Sequence, residues 1–252
     1  MGGGAGLRRS GRSVRGARGV KGSTLSSLLD AREQGEAVVL ATDLETGREQ
    51  LIRPFQIPEG DGDPLVRAAR EAAIADRSRT FEADSACTFL HVFNPPVRVI
   101  IVGAVHIAQP LSAMAAKAGY AVTVLDPRGA FATEQRFPGI PLLKAWPAEG
   151  LVQLGFDRRT AVVTLTHDPK LDDPALHAAL ESPAFYIGAL GSRRTQGARL
   201  ERLRESGFND EDLARIHAPV GLDIGARTPG EIAAAILAEI VAVLRAEPVV
   251  PS

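Results

Sequence analysis

The chain has 252 residues, which is enough to bury one large hydrophobic core or two small ones. Hydrophobic residues make up 45% of it and charged residues 23%, and the formal net charge is −1, so no charge imbalance indicates nucleic acid or a membrane surface as a partner. The single cysteine, Cys87, excludes an intramolecular disulfide framework and favours a reducing, cytoplasmic location. No apolar run reaches the roughly 20 residues that a membrane-spanning helix needs.

Residues 1–22 differ from the rest of the chain because they are rich in glycine and carry basic side chains without any acidic one. One functional interpretation is a basic arm that binds nucleic acid, and another is a twin-arginine export signal at Arg8 and Arg9. An export signal needs an apolar segment after the arginines, and none follows. Since such a composition cannot bury a core, we expect a disordered basic leader.

Residues 23–94 predict a small α+β domain. Its expected elements are a helix over Thr24–Gln34, strands at Ala37–Thr42 and Gln50–Ile52, a helix from Pro64 to about Ile74, and a loosely alternating segment over Thr80–Phe93. Asn94 and two prolines follow, a stiff connection that can continue neither a helix nor a central strand. We therefore place a domain boundary here, with a second domain over residues 95–252.

The second domain opens with the pattern of a nucleotide-binding βαβ unit. Val97–Val102 is a short, β-branched run typical of a strand buried on both faces, and Gly103 ends it. A helix is predicted over Ile107–Ala118 and a second strand over Ala121–Leu125. Asp126 follows, at the position where the acidic residue of a dinucleotide-binding unit meets a ribose. The unpaired amides at the helix N-terminus would face a phosphate.

The glycine turn departs from the dinucleotide fingerprint at one position. The fingerprint is Gly-x-Gly-x-x-Gly/Ala, whereas residues 103–108 read GAVHIA. Val105 stands where the middle glycine lets the backbone approach a pyrophosphate, and its branched side chain would crowd that group. Asp126 suits a ribose hydroxyl, so the turn alone leaves open whether the ligand is a dinucleotide.

The remaining chain alternates predicted strands with predicted helices. The predicted strands are Ile140–Leu143, Ala161–Leu165 and Phe185–Ile187. Short helices are predicted to begin at Trp146-Pro147 and at the cap Asp173-Pro174, and a third helix lies within Ser192–Ser206. The last predicted helix begins at the capping box Thr228–Glu231 and runs through Arg245. This alternation predicts an α/β protein with a Rossmann-like, doubly wound parallel sheet. Isoleucines 232, 236 and 240 mark the apolar face of the last helix.

Polar residues and glycines follow four of the predicted strands, where ligands of parallel sheets bind. The candidate binding residues are Gly103, Ala104, Val105 and His106, then Asp126 and Arg128, then Thr166, His167 and Asp168, and finally Gly188, Gly191, Ser192 and Arg193. Gly188 and Gly191 precede a predicted helix and are followed by Ser192 and arginines, a pattern that could bind an anion through free N–H groups, a hydroxyl and guanidinium groups. The same pattern also suits a tight turn followed by a solvent-exposed helix face.

His167 beside Asp168 is a candidate acid–base or ligand pair, or else a loop histidine next to a cap before Pro169. Asp172 and Asp173 are a candidate carboxylate pair, with Asp173 already interpreted as a cap. The histidines show no short metal-ligand spacing, so we expect no metal site and assign no catalytic residue.

Six motifs occur in an order that resembles the C-terminal Rossmann domain of the XdhC/CoxI family: GAVHIAQ, DPRGAFATEQRFPG, LTHDPKLDDPAL, FYIGALGSRRT, RIHAPVGLDIGARTPGEIA and ILAEI. The resemblance covers Val97 to about Arg245. It implies a homodimeric maturation factor for molybdenum hydroxylases such as xanthine dehydrogenase, a chaperone rather than an enzyme. Such a factor binds molybdenum cofactor as cargo, works with a cysteine desulfurase to exchange an oxo for a sulfido ligand, and delivers the cofactor to the apo-enzyme.

The chain departs from the family pattern in two places. Many members have Gly-Ala-Gly-His where this chain has Val105 in the third position. Longer members carry Gly-Ser-x-Pro-Arg and Gly-Gly-Cys-x-Glu in an N-terminal domain, and neither occurs in residues 23–93. Cys87, within SACTF, is therefore interpreted as a small buried hydrophobic side chain. Two other hypotheses remain: an NAD(P)-dependent oxidoreductase, and an interaction protein that dimerises through its last helix.

Overall fold

The computed structural model describes residues 21–58, 62–83 and 86–246. Residues 1–20 of the expected leader lie outside this range, so the leader stays a prediction, and the first described helix begins at Gly22. The chain divides into two compact units, Met1–Pro95 and Pro96–Ser252. In the described ranges, no helix combines the length and the apolar character that crossing a bilayer requires.

The first unit is a four-stranded antiparallel sheet with two helices, which confirms the α+β prediction. Its elements are α1 (Gly22–Glu33), β1 (Val38–Asp43), β2 (Glu49–Ile52), α2 (Pro64–Ile74), β3 (Arg79–Ala83) and β4 (Ala86–Phe93), and the strand order is β2-β1-β4-β3. Cys87 lies near the start of β4, opposite Glu82, and is half-buried, so the expectation of a buried thiol is wrong.

The second unit is a six-stranded parallel sheet with helices between its strands, which confirms the doubly wound Rossmann-like fold. Its elements are β5 (Arg98–Val102), α3 (Ala108–Lys117), β6 (Ala121–Leu125), β7 (Leu142–Leu143), α4 (Pro147–Leu154), β8 (Thr160–Thr164), α5 (Pro169–Leu180), β9 (Tyr186–Ala189), α6 (Arg193–Glu205), α7 (Asp210–Ala214), β10 (Ile216–His217) and α8 (Pro229–Arg245). The strand order is β10-β9-β8-β5-β6-β7.

The central strands β5 and β8 are apolar at 99–102 and 161–163, because both of their faces are covered there. Val99 and Ile101 of β5 join one core cluster with α3 and α8, whereas Ile100 and Val102 join a second cluster with α5. Strand order reverses at β5, which pairs with β6 on one side and β8 on the other. In open α/β sheets the usual ligand position is a crevice at such a switch point, here at the carboxyl ends of β5 and β8.

One sequence prediction about a helix needs correction. Helix α5 begins at Pro169 rather than at Asp173, because Asp168 already caps it by accepting a hydrogen bond from the Lys170 N–H at 3.0 Å. Pro174 therefore lies inside the helix. The isoleucine face of α8 packs in the core, with Ile236 and Ile240 inaccessible, and dimerisation through the exposed side of this helix stays a prediction. Helix α7 and strand β10 were not predicted.

A buried tyrosine ties β9 to α8. The hydroxyl of Tyr186 donates to Glu239 Oε2, which also accepts from the Gly221 N–H at 2.8 Å, and His217 stacks on the tyrosine ring. Burial and the neighbouring carboxylate raise the pKa of Tyr186 far above its ordinary value. The phenol is therefore protonated at neutral pH and donates its hydrogen bond to Glu239.

Candidate functional site

Four turns follow the carboxyl ends of β5, β6, β8 and β9: residues 103–107, 126–128, 165–168 and 190–192. We call them the four-turn cluster. Gly103 begins the first turn with a φ of +106°. A Cβ at this position would lie 2.4 Å from Thr166 Cγ2 in the third turn. Glycine is therefore required both by the backbone conformation and by the close contact between these two turns.

The N-terminus of α3 lies at the end of the first turn and has no side-chain cap. Ile107 occupies the capping position, and an aliphatic side chain cannot accept hydrogen bonds from the first-turn amides. By contrast, α5 and α6 are capped by Asp168 and Ser192. His106 is exposed beside this helix end, and Val105 packs partly against the core. The Ala108 N–H already donates to the Val105 carbonyl at 3.1 Å and Pro110 has no N–H, so the Gln109 N–H is the first-turn amide that suits an anionic group.

The Asp126 carboxylate is inaccessible to solvent and joins the first two turns. Its Oδ2 accepts from the Ala104 N–H at 2.8 Å and from Arg128 Nη2 at 2.7 Å, and its Oδ1 accepts from the Arg128 N–H and Nε at 2.9 Å each. Four donors fill the acceptor positions of the carboxylate. Asp126 therefore binds the Ala104 backbone and Arg128. Because all of its acceptor positions are used, none is left for a ribose hydroxyl.

Opposing effects act on the charge of Asp126. Burial raises its pKa, but the hydrogen bonds from Arg128 and from the Ala104 N–H outweigh burial, so the pKa lies below the ordinary value. The same pairing raises the pKa of Arg128, and the charges of Asp168 and Asp172 add to that rise. Arg128 is therefore close enough to the third turn to be influenced by its carboxylates.

A second buried carboxylate, Asp172 on α5, holds the third turn. Its Oδ1 accepts from the Thr166 hydroxyl at 2.6 Å, and its Oδ2 accepts from the His167 N–H at 3.0 Å. His167 adopts a left-handed φ of +62°, an unusual conformation for a residue with a side chain, and it is exposed. The sequence pattern placed His167 and Asp168 together as a pair, and Asp168 is the cap of α5.

Arg199 on α6 is buried and connects the third and fourth turns. Its Nη2 donates to the Leu190 carbonyl at 2.8 Å and lies 3.7 Å from Asp172 Oδ2, and its Nη1 donates to Gln196. Burial raises the pKa of Asp172 and lowers that of Arg199. Sequence reasoning missed this residue because one arginine in an arginine-rich helix carries no signal of burial.

The fourth turn is less directly part of the cluster than its sequence suggested. Gly188 lies within β9, where a Cβ would meet Val220 and Tyr186, so this glycine serves packing of the sheet. The Ser192 Oγ accepts from the Thr195 N–H at 3.2 Å and caps α6. Arg193 is the first residue of that helix. In the described ranges, no three His, Cys, Asp or Glu side chains group as metal ligands would.

The sequence model of the XdhC Rossmann domain matches residues 99–240. The chain belongs to the XdhC family. Every candidate binding residue, from Gly103 to Arg193, lies inside the matched segment, so the four-turn cluster is part of the family domain.

Three curated relatives share about a third of their aligned residues with this chain. They are the uncharacterised protein YqeB of Escherichia coli (35% identity over 177 residues; 70% of this chain and 32% of YqeB), the molybdenum cofactor insertion chaperone PaoD of E. coli (36% over 151; 60% and 41%), and a probable xanthine dehydrogenase subunit of Bacillus subtilis (34% over 154; 61% and 44%). The chain thus spans less than half the length of each of these relatives.

A crystal structure of a xanthine dehydrogenase from Bacillus halodurans has a similar fold, with a TM-score of 0.67 and 26% sequence identity. The similarity covers 88% of this chain and 67% of that one.

Proposed function

We propose that this chain binds molybdenum cofactor as cargo and acts as a chaperone in the maturation of a molybdenum hydroxylase such as xanthine dehydrogenase. The observation that carries the proposal is the 36% identity with the molybdenum cofactor insertion chaperone PaoD over 151 residues. The position of the α3 N-terminus at the switch point supports it, because a phosphate-bearing ligand would meet the Gln109 N–H and the positive end of the helix there.

The residues around the crevice suit an anionic cargo. Arg128 uses two of its nitrogens on Asp126 and keeps N–H groups that a phosphate oxygen can accept from. His106 and His167 are exposed on two of the turns. We assign the cargo phosphate to the α3 N-terminus and Arg128, and we assign no step of bond chemistry to any side chain.

The alternative function, an NAD(P)-dependent oxidoreductase, has less support. A dinucleotide site needs a free carboxylate for the ribose, and the four hydrogen-bond donors around Asp126 leave none. Val105 also replaces the glycine next to which a pyrophosphate would lie. Molybdopterin without a nucleotide extension carries a single phosphate and makes a smaller demand on this turn.

Our proposal extends to the partners that family membership suggests. We propose that the chain meets a cysteine desulfurase, which supplies sulfur for exchange of an oxo ligand, and that it forms a homodimer in the cytoplasm. The dimer would use a surface other than the buried isoleucine face of α8. Light scattering after size-exclusion chromatography tests the dimer, and co-purification with tagged desulfurase tests that contact.

Anaerobic isothermal titration with molybdenum cofactor and, separately, with NAD tests the cargo. We expect micromolar or tighter binding of the cofactor and no measurable binding of NAD. Arg128→Ala should weaken cofactor binding, whereas Lys117→Ala, at the opposite end of α3, should not. Tight NAD binding without cofactor binding would overturn the proposal. Unchanged xanthine dehydrogenase activity after deletion of the gene would remove the maturation role.

A further inference from the structure

We propose that Asp172 and Arg199 are positioning residues of the cofactor site. The pair fixes the third and fourth turns relative to one another and thereby presents His167 at the crevice. This inference rests on the proposed function for the identity of the cargo, but the geometry that it describes can be tested without any cargo.

Asp172 holds the backbone of the third turn through hydrogen bonds. Both of its oxygens are used there, Oδ1 by the Thr166 hydroxyl and Oδ2 by the His167 N–H. The second of these bonds restrains the residue whose φ is +62°. A left-handed conformation in a non-glycine residue persists only where the surroundings impose it, and the Asp172 carboxylate is the group that imposes it here.

Arg199 extends this control to the fourth turn. One nitrogen, Nη2, faces both the Leu190 carbonyl at 2.8 Å and Asp172 at 3.7 Å. A Cβ on Gly191 would lie 3.6 Å from Nη1, so the turn rests directly on the guanidinium. Because Thr166 also meets Gly103 of the first turn, a movement of this pair would displace three of the four turns.

The Asp172–Arg199 pair is not well arranged to increase the stability of the fold. Both side chains are only 2% exposed, yet their charged atoms are 3.7 Å apart, and Arg199 Nε has no hydrogen-bond partner among the residues that the structure describes. The free energy that two charges lose on leaving water exceeds the attraction they gain across a contact of this length. The arrangement is better explained by the backbone groups that it holds in place, since each charged group binds the main chain of one turn.

The neighbouring pair Asp173–Arg202 provides a matched control. It joins the same two helices, one residue further along α5 and three residues further along α6, with a two-point contact at 2.6 and 3.0 Å, but its side chains are partly exposed. Asp173 makes no contact with the four-turn cluster in the described structure. If salt bridges between α5 and α6 acted only on stability, the two pairs would respond alike to substitution.

The test compares Asp172→Asn and Arg199→Lys with Asp173→Asn and Arg202→Lys. An asparagine at 172 places an N–H₂ opposite either the Thr166 or the His167 donor, and a lysine at 199 cannot reach two partners in one plane. Cofactor retained after anaerobic ultrafiltration is measured as molybdenum, and hydrogen exchange of the His167 amide is measured by NMR without cofactor. Thermal unfolding of all four variants establishes which are folded.

We expect at least tenfold weaker cofactor retention and at least tenfold faster His167 exchange in the folded variants at 172 and 199, with less than twofold changes at 173 and 202. If Asp172→Asn does not fold, Arg199→Lys carries the test, because it keeps the charge. Unchanged exchange at His167 in the first two variants would overturn the inference. If the unaltered protein retains no cofactor, the proposed function fails, and the exchange data alone decide the positioning role.

Discussion

The Ala104 N–H donates a hydrogen bond of 2.8 Å to the Asp126 carboxylate, and so the turn after β5 is fastened to the end of β6. This relationship gives Asp126 a structural part that its position in a βαβ unit does not suggest. The acidic residue that meets a ribose in dinucleotide-binding proteins is here an internal brace of the turn.

We predict that Asp126→Asn lowers the free energy of unfolding by about 1–3 kcal/mol at pH 7, because the amide cannot accept from all four donors and leaves a buried N–H unpaired. Urea denaturation measures the change. Asp157→Asn, at the amino end of the sheet, is the control for loss of one negative charge near a partly exposed arginine. A change at 126 no larger than that at 157 would contradict the bracing role.

The cost of Asp126→Asn should also depend on pH. The pKa of Asp126 lies below its unfolded value of about 3.9, so its contribution to stability is complete above that value and is lost as the pH falls through the folded pKa. The difference between the two proteins should therefore be constant from pH 7 to 5 and shrink below pH 4. Denaturation curves at several pH values measure it, and a difference that grows in acid would contradict the assignment.

Replacing Val105 by glycine should increase affinity for NAD, since removal of the branched side chain clears the position beside which a pyrophosphate lies. We expect at least a tenfold gain in titrations with NAD. Val105→Ile, which keeps a branched side chain, should show no gain. Arg128 still occupies Asp126 in this variant, so the double variant with Arg128→Ala should bind NAD more tightly than either single variant.

Gly103→Ala should be more damaging than Gly119→Ala, although both glycines have positive φ angles, +106° and +86°. A Cβ at 119 meets no atom within 4 Å, so that variant loses about 1–2 kcal/mol from backbone strain alone. At 103 the clash with Thr166 Cγ2 adds about 1–3 kcal/mol. Thr166→Ser removes the clashing methyl group and should restore the added part, and equal losses at the two glycines would refute the contact.

Tyr186→Phe should lower stability by about 1.5–3 kcal/mol at neutral pH through loss of the bond to Glu239. The raised pKa of Tyr186 also predicts an alkaline dependence. Its contribution is complete below the unfolded value of about 10 and falls above it, by up to about 1.4 kcal/mol per pH unit. Denaturation between pH 8.5 and 11 should show this decline in Tyr120→Phe and not in Tyr186→Phe.

The sequence predicted the architecture well because its signals are local. Pro64 behind Asp63 marks the start of α2, and Thr228 with Glu231 marks that of α8, since caps act within one turn of helix. The convergence of strand ends into one cluster follows from the parallel alternation of strands and helices, which needs no knowledge of contacts.

The features that the sequence could not predict depend on distant residues. Arg199 lies 27 residues beyond Asp172, and whether the two are buried depends on how α6 packs on α5. The amino-acid composition does not predict that packing. The start of α5 was misplaced because two Asp-Pro pairs compete, at 168 and 173, and only the fold decides between them. Asp126 looked free because its partner Arg128 could equally have pointed into solvent.

His167 has a left-handed backbone that glycine would adopt without strain, and a non-glycine residue there costs about 1 kcal/mol. A glycine at 167 would therefore make a more stable protein with the same hydrogen bond to Asp172. The chain carries an imidazole at a position where the backbone alone would favour having no side chain. What residue 167 contributes to the molecule is thus its exposed ring after the carboxyl end of β8, held there against the conformational preference of its own main chain.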